Sequence, residues 1–312
     1  MLYPIELLAR KINNLHEVSS RNTPGLEGIM QARFEQFIRE RQYLANVTPA
    51  TVEWYRRCLN WLPSEAPTQT DLKDLVLRMR TKGLKETGVN TVLRCANAYL
   101  HWNSGAERRC GPGCNHPRIA QLREPHLVLP TFTEQQVKRL IAWKAKSKYQ
   151  RRLHVLILFL LDTGCRISEV LGLHVSEIDF ENLLVTLDGK GRKQRVVPIS
   201  FELRKALFRF CTETNRKPEA LVFVSRTGAT WNRRNILRDV KRLCQDFGFT
   251  APGRTLHAFR HTFAVNYLRR GGSVFHLQKV LGHSTLEMTR RYANLVTADL
   301  QAVHQRVSLL SR

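Results

Sequence analysis

LLVTLDGKGRKQRVVPI, residues 183–199, decides the fold class. LLVTL (183–187) and RVVPI (195–199) are short apolar runs, and the polar, glycine-bearing segment between them reads as a turn, so the stretch is expected to be a β-hairpin. LVFV at 221–224 reads as a further strand. The flanking pattern is helical. Upstream, a Thr-x-x-Glu-like start at Thr131 to Glu134 leads to the apolar helix HVLILFLLDTG, which Gly164 terminates. Downstream, RRNILRDVKRLCQDFG, AFRHTFAVNYLRRG, VFHLQKVLG and TLEMTRRYANL read as successive helices. The expectation is a small β-sheet inside a mainly α domain.

Further toward the N-terminus, EGIMQARFEQFIRERQYL, TPATVEWYRRCLNWL, TQTDLKDLVLRMRTKG and KETGVNTVLRCANAYLHWN read as helices, with no strand signal among them. Thr48 before Pro49 supplies an N-cap with proline at the first helical position, and Thr70 with Asp71 is read as opening the third helix. From Ser104 to Pro130, glycine, proline and charge interrupt any period. The domains expected are therefore a helical one over 1–106, a linker over 107–130 and a mixed α+β one over 131–312. No internal repeat is seen.

Lys and Arg number 50 against 26 Asp and Glu, a formal charge of +24 that would repel itself unless a polyanion neutralised it. Nucleic acid is the partner this implies, and the 43% hydrophobic content excludes a disordered basic tail. No apolar run approaches the roughly 18 residues of a membrane span and the N-terminus has no signal-peptide core, so no membrane partner and a cytoplasmic, nucleoid-associated location are expected. The cysteines at 58, 95, 110, 114, 165, 211 and 244 do not form a disulfide framework. Cys110, Cys114 and His116 have a spacing that could seed a zinc site, but no fourth ligand is evident nearby and the Gly-Pro-Gly between the cysteines reads as a turn. No metal is expected.

Four segments carry the chemistry: LLDTGCRISEVLGL (160–173), DGKGRKQRVVP (188–198), LHAFRHTFA (256–264) and VLGHSTLEMTRRYANL (280–295). Together they resemble the catalytic domain of the tyrosine recombinases, the phage-integrase family. The resemblance spans about 131–297, with a weaker one over 27–125 to the family's helical core-binding domain. It implies a SAM-like helical core-binding domain plus a mixed α+β catalytic domain, closing as a C-shaped clamp on DNA. Carried over position by position, it places the first arginine at Arg166 with Glu169 three residues on, and the hairpin lysine at Lys190. His257 and Arg260 match the family's H-x-x-R, His283 its LGHS-type histidine, and Tyr292 the nucleophile.

The chemistry accounts for those residue types. A phosphodiester under attack gathers negative charge on its non-bridging oxygens, and guanidiniums suit that role because they stay charged and donate in pairs. Arg166 and Arg260 fit it. A phenol with a pKa of about 10 needs a neighbour to take its proton, and His257 is the candidate. Lys190 is the candidate acid for the leaving 5′ oxygen, His283 a hydrogen-bond partner of the phosphate, and Glu169 an orienting group for Arg166. Arg192, Lys193 and Arg195 crowd the same turn as Lys190 and are read as DNA-backbone contacts. His261 is read as structural or DNA-facing, and Tyr267 as core.

A 3′-phosphotyrosyl link conserves the energy of the broken bond, so joining needs only a returning 5′ hydroxyl, and no cofactor is expected. The sequence holds no GxxxxGK[ST] motif. The function expected is site-specific recombination of double-stranded DNA sites through a Holliday junction, by a homotetramer on paired sites, with room for accessory DNA-bending proteins. Alternatives are a tyrosine transposase of a mobile element, a topoisomerase of related mechanism, or an inactive DNA-binding protein; the last is disfavoured because no catalytic position has been replaced. The roughly 26 residues before the first helix are too few for an extra N-terminal domain, so a two-domain, Xer-like layout is expected. After Tyr292, Leu300, Val303, Val307 and Leu310 make one narrow apolar stripe, which either packs on its own domain or, as the resemblance implies, docks on a neighbouring protomer.

Overall fold

Threonines and a proline set where the N-terminal helices begin. After α1 (Ala32–Tyr43), Thr48 caps α2 (Pro49–Leu59), the Thr51 N–H donating to Thr48 Oγ1 at 3.3 Å while Pro49 gives up no bond the helix needed. The cap of α3 (Gln69–Thr81) is Thr68 rather than Thr70: the Asp71 N–H donates to Thr68 Oγ1, and the Thr68 N–H donates back to Asp71 at 2.8 Å. This reciprocal box satisfies two terminal donors at once, and Thr70 inside the helix could satisfy neither. The longest described helix of this part of the chain, α4 (Glu86–Asn103), packs Val89, Leu93, Ala96 and Tyr99 against Phe34, Phe37, Tyr55 and Leu59 of the first two.

The computed structural model of the chain describes residues 32–105, 116–125, 129–189, 194–225 and 228–296. The chain divides into two units, Met1–Leu127 and Val128–Arg312. Part of the stretch read as linker is strapped onto the first unit. Buried Asn90 donates to the Leu122 carbonyl at 2.8 Å and accepts its N–H at 2.7 Å, Asn97 does the same with Ile119, and both apolar side chains join that core.

The second unit begins with α5 (Glu134–Ile141), capped by Thr133 in a reciprocal box with Gln136, two residues beyond the start read from the sequence. Next, α6 (Lys148–Thr163) buries Leu153, Leu156, Ile157, Phe159 and Leu160 at the centre of the larger core and ends at Gly164, in the left-handed region at φ 60. A short α7 (Ile167–Leu171) leads to β1 (Ile178–Asp179), and the hairpin follows as β2 (Leu184–Asp188) and β3 (Gln194–Pro198). The three strands form one antiparallel sheet in the order β1-β2-β3, with Leu187 opposite Arg195.

LVFV at 221–224, with Leu221 half-buried and the other three buried, is no strand of this sheet; its ends make isolated bridges, His174 with Leu221 and Val224 with Thr230. Its β-like composition reflects burial rather than a ladder. Helix α8 (Phe201–Glu213) is not among the expected elements, although Ser200 caps it and Leu203, Leu207 and Phe210 recur on one face. The rest is helical: α9 (Arg233–Asp246), α10 (Thr255–Arg269), α11 (Val274–Leu281) and α12 (Glu287–Val296). No described helix is long and apolar enough to cross a membrane.

Candidate active site

Chain reversal at Gly164 brings Arg166 to the mouth of the second unit's core. Arg166 is the N-cap residue of α7, and Glu169 in the first turn reaches back to it: Oε2 accepts the Arg166 N–H at 2.7 Å and Oε1 accepts Arg166 Nη1 at 2.8 Å. The same carboxylate accepts both arms of Arg195, Nη1 at 2.9 Å and Nη2 at 2.7 Å. Burial alone would raise the Glu169 carboxyl, but the bonds and charge of Arg195, joined by Arg166, pull it down to about 2. It is ionised at neutral pH.

Arg195, expected from the sequence to meet DNA, instead turns inward. Its side chain is 12% exposed, and Nε donates to the Val280 carbonyl at 2.8 Å. Strand alternation explains this: Val197, two residues on, is buried on the same face, while Val196 between them is exposed. Lys190, Arg192 and Lys193 lie outside the described residues, as does the tail stripe of Leu300, Val303, Val307 and Leu310.

Helix α10 carries His257, Arg260 and His261 at positions i, i+3 and i+4, one turn of one face. Arg260 is 5% exposed and donates to two backbone carbonyls, Gly164 at 3.2 Å and Leu281 at 2.7 Å. Burial, then the nearby Arg166, push it down to about 10, so it keeps its charge at neutral pH. His283 follows Gly282, the left-handed cap of α11 at φ 65, and its Nδ1 pairs with Thr289 Oγ1 at 2.8 Å. Its ring lies parallel to Tyr292, 6° apart in plane with centroids 6.2 Å apart.

Tyr292 is placed differently from the polar face its arginine neighbours suggest. It is 4% exposed and packs with Ala264, Val265, Leu277 and Leu281, while Arg291 beside it is exposed. Its hydroxyl meets His261 Nδ1 at 2.9 Å. His257, the expected proton acceptor, stands one turn away, its ring 6.4 Å from that of His261 and its buried Nε2 without a hydrogen-bond partner among the described residues. Burial is the main force on all three imidazoles and neighbouring cations add to it: His257 and His283 fall to about 3 and His261 to about 4. Burial raises the Tyr292 phenol, opposed by Arg260, Arg166 and Arg291.

The structure thus brings Arg166, Glu169, His257, Arg260, His283 and Tyr292 to one place and adds His261, Arg195 and Thr289 to them. Among these residues three guanidiniums face a single carboxylate, an excess of two positive charges in a largely dry site that suits an anion. Among the described residues no group of three or more His, Cys, Asp or Glu side chains is arranged to hold a metal ion. Cys110 and Cys114 lie outside them; His116 stands with its ring 5.6 Å from that of His101.

Residues 130–298 match the model of the phage integrase family. The chain belongs to that family. Its reaction class is accordingly the cleavage and joining of DNA strands by a tyrosine recombinase. It is 30% identical over 251 residues to the tyrosine recombinase XerA of Pyrococcus furiosus, covering 78% of this chain and 82% of that one. Solved structures that share the fold include two bound to DNA. The XerH site-specific recombinase bound to palindromic difH substrate, a post-cleavage complex, matches with a TM-score of 0.68 and 17% identity over 89% of this chain and 84% of that chain. The Tn1549 transposon integrase in complex with transposon right end DNA matches with a TM-score of 0.67 and 21% identity over 89% and 100%.

Proposed function

We propose that this integrase-family chain is a site-specific recombinase that acts on double-stranded DNA sites as four protomers on a pair of sites, with Tyr292 as the nucleophile. The observation that carries this reading is the meeting of the Tyr292 hydroxyl with a neutral imidazole, His261, beside the guanidiniums of Arg260 and Arg166.

Each step has a candidate group. Arg166 and Arg260 receive the non-bridging oxygens of the phosphodiester, where negative charge grows as the phenolic oxygen attacks. His261 takes the proton from Tyr292, its Nδ1 serving as acceptor when Nε2 carries the ring hydrogen. His257, its Nε2 without a partner among the described residues, and His283 add hydrogen bonds to the bound phosphate. A bond forms between phosphorus and the tyrosine oxygen, the bond to the 5′ oxygen breaks, and Lys190 returns a proton to that oxygen. A 5′ hydroxyl from the partner strand then reverses the step. Because one tyrosine cuts one strand and exchange between two duplexes needs four cuts, four protomers are required. DNA-bending proteins are natural accessories to such an assembly.

The test is trapping. A nicked suicide duplex bearing the site recovered by binding selection yields a covalent adduct that maps to Tyr292. Tyr292→Phe binds the duplex as before and yields none, since only the attacking oxygen is lost. An adduct that persists in this variant refutes the assignment.

A further inference from the structure

Arg195 is the most connected cation of the site, and no step of the proposed reaction uses it. It sits on β3, and its guanidinium reaches two other motifs. Through Glu169 it meets the arginine motif at 2.9 and 2.7 Å, and through the Val280 carbonyl at 2.8 Å it meets the end of α11, which presents His283. Gly282 shows how close this second contact is. A Cβ there would lie 3.0 Å from Arg195 Cδ and 3.1 Å from its Nε.

The charges explain what the contact does. Glu169 accepts four hydrogen bonds, two from Arg195 and two from Arg166, which fills the lone pairs of a carboxylate. With Arg195 present, the Glu169 charge is already matched. Arg166 is then held by one arm and its own N–H, and its positive charge remains uncompensated. Without Arg195, Arg166 is the one cation among the described residues still hydrogen-bonded to the carboxylate, which would close on that guanidinium and cancel the charge meant for a phosphate. An ammonium could restore the charge but not the paired donors and the third bond to Val280.

We propose that Arg195 is a positioning residue: it neutralises Glu169 so that Arg166 can face the phosphate, and it ties the hairpin strand to the helix end that carries His283. This rests on the assignment of Arg166 to the phosphate under the proposed function.

The experiment compares Arg195→Gln, Arg195→Lys and the double variant Arg195→Gln/Glu169→Gln with wild type on the nicked suicide duplex, with affinity measured across a salt series. Expected for Arg195→Gln is an unchanged affinity and salt slope with adduct formation at saturating DNA slowed about 100-fold, the scale of a misplaced catalytic group. Arg195→Lys should recover little of that rate, whereas the double variant should exceed Arg195→Gln because the unmatched carboxylate is gone. The proposal is overturned if Arg195→Gln keeps its saturating rate and instead lowers the salt slope by about 0.9, the signature of one lost phosphate contact. A fully active lysine variant, or a double variant no better than the single, overturns it as well. A readout free of turnover separates this from the proposed function: the Glu169 carboxyl, followed by carbon NMR in wild type and Arg195→Lys, should titrate higher in the variant. An unmoved titration sinks the positioning role even if Arg195→Gln fails to fold, and a wild type that forms no adduct counts against the recombinase reading instead.

Discussion

Gly164→Ala probes the joint on which the site is built. Gly164 holds φ at 60, and an L-residue forced there costs about 1–2 kcal/mol. The larger cost is spatial. A Cβ would stand 2.2 Å from Phe263 Cδ1, 2.7 Å from Cγ and 3.0 Å from Cε1, where carbons rest at about 3.5–4.0 Å. The Phe263 ring must move by more than about an ångström at Cδ1, against Tyr267 with centroids 5.8 Å away, and overpacking of this kind adds about 1–3 kcal/mol. The sum is about 2–5 kcal/mol. Gly271→Ala is the matched control: its φ is 84 and a Cβ there meets nothing within 4 Å, so it carries the backbone cost alone. Urea unfolding of both variants, followed through the transition of the second unit, should show Gly164→Ala less stable than Gly271→Ala by at least about 1 kcal/mol. Equal stabilities would refute the overlap argument. Because the Gly164 carbonyl accepts Arg260, adduct formation should fall in the same variant.

Glu169→Gln should lose about 3 kcal/mol of stability at neutral pH, from a carboxyl pulled from 4.5 to about 2. A depressed carboxyl stabilises fully above its unfolded value, so in urea melts at several pH values the gap to wild type should close as pH falls from 4.5 through about 2. His261→Gln should slow adduct formation by about 100-fold or more, measured at saturating DNA, and a larger loss in His257→Gln would return the proton to the group read from the sequence. With His257, His261 and His283 at about 3 to 4, the folded protein refuses protons that the unfolded chain takes up near 6.5, so stability should decline as pH drops below that value. Arg166→Lys and Arg260→Lys should each retain a small part of wild-type cleavage, and full activity of either would argue against paired donation to the phosphate. EDTA should leave the adduct yield unchanged in the same trapping assay.

The site is legible in sequence to the extent that its chemistry fixes residue types in order: Arg166, H-x-x-R over His257 to Arg260, His283 and Tyr292 all converge in the fold. The hairpin is legible because a glycine-bearing turn between two apolar runs has few other readings. The choice between two imidazoles one turn apart is not, because both lie on one face of α10 and only the placement of α12 decides which reaches the phenol. Arg195 is read as a DNA contact because a basic turn attracts that reading; alternation from Val197 is the signal that would have sent it inward. LVFV is read as a strand because burial selects the same residues as a ladder does. The caps at Thr68 and Thr133 differ from the sequence reading by two residues, since several threonines compete and packing selects among them.

Burial of Tyr292 turns cleavage into a matter of populations. A reacting phosphorus must come within about 3–3.5 Å of the phenolic oxygen, and a side chain 4% exposed with its hydroxyl on His261 leaves little room for one. Where that approach needs the ring drawn outward with His261 still in reach of its hydroxyl, the arrangement described is the stowed member of two states and the one that presents the ring is the other. A duplex that binds both states equally well shifts nothing, however tightly the +24 chain grips it. If the stowed state outnumbers the presented one by about 100 to 1, a site must favour the latter by about 2.7 kcal/mol to balance them. Sequence-blind phosphate contacts made equally in both states supply none of that difference, so the chain can rest on the wrong duplex with its nucleophile still sheathed.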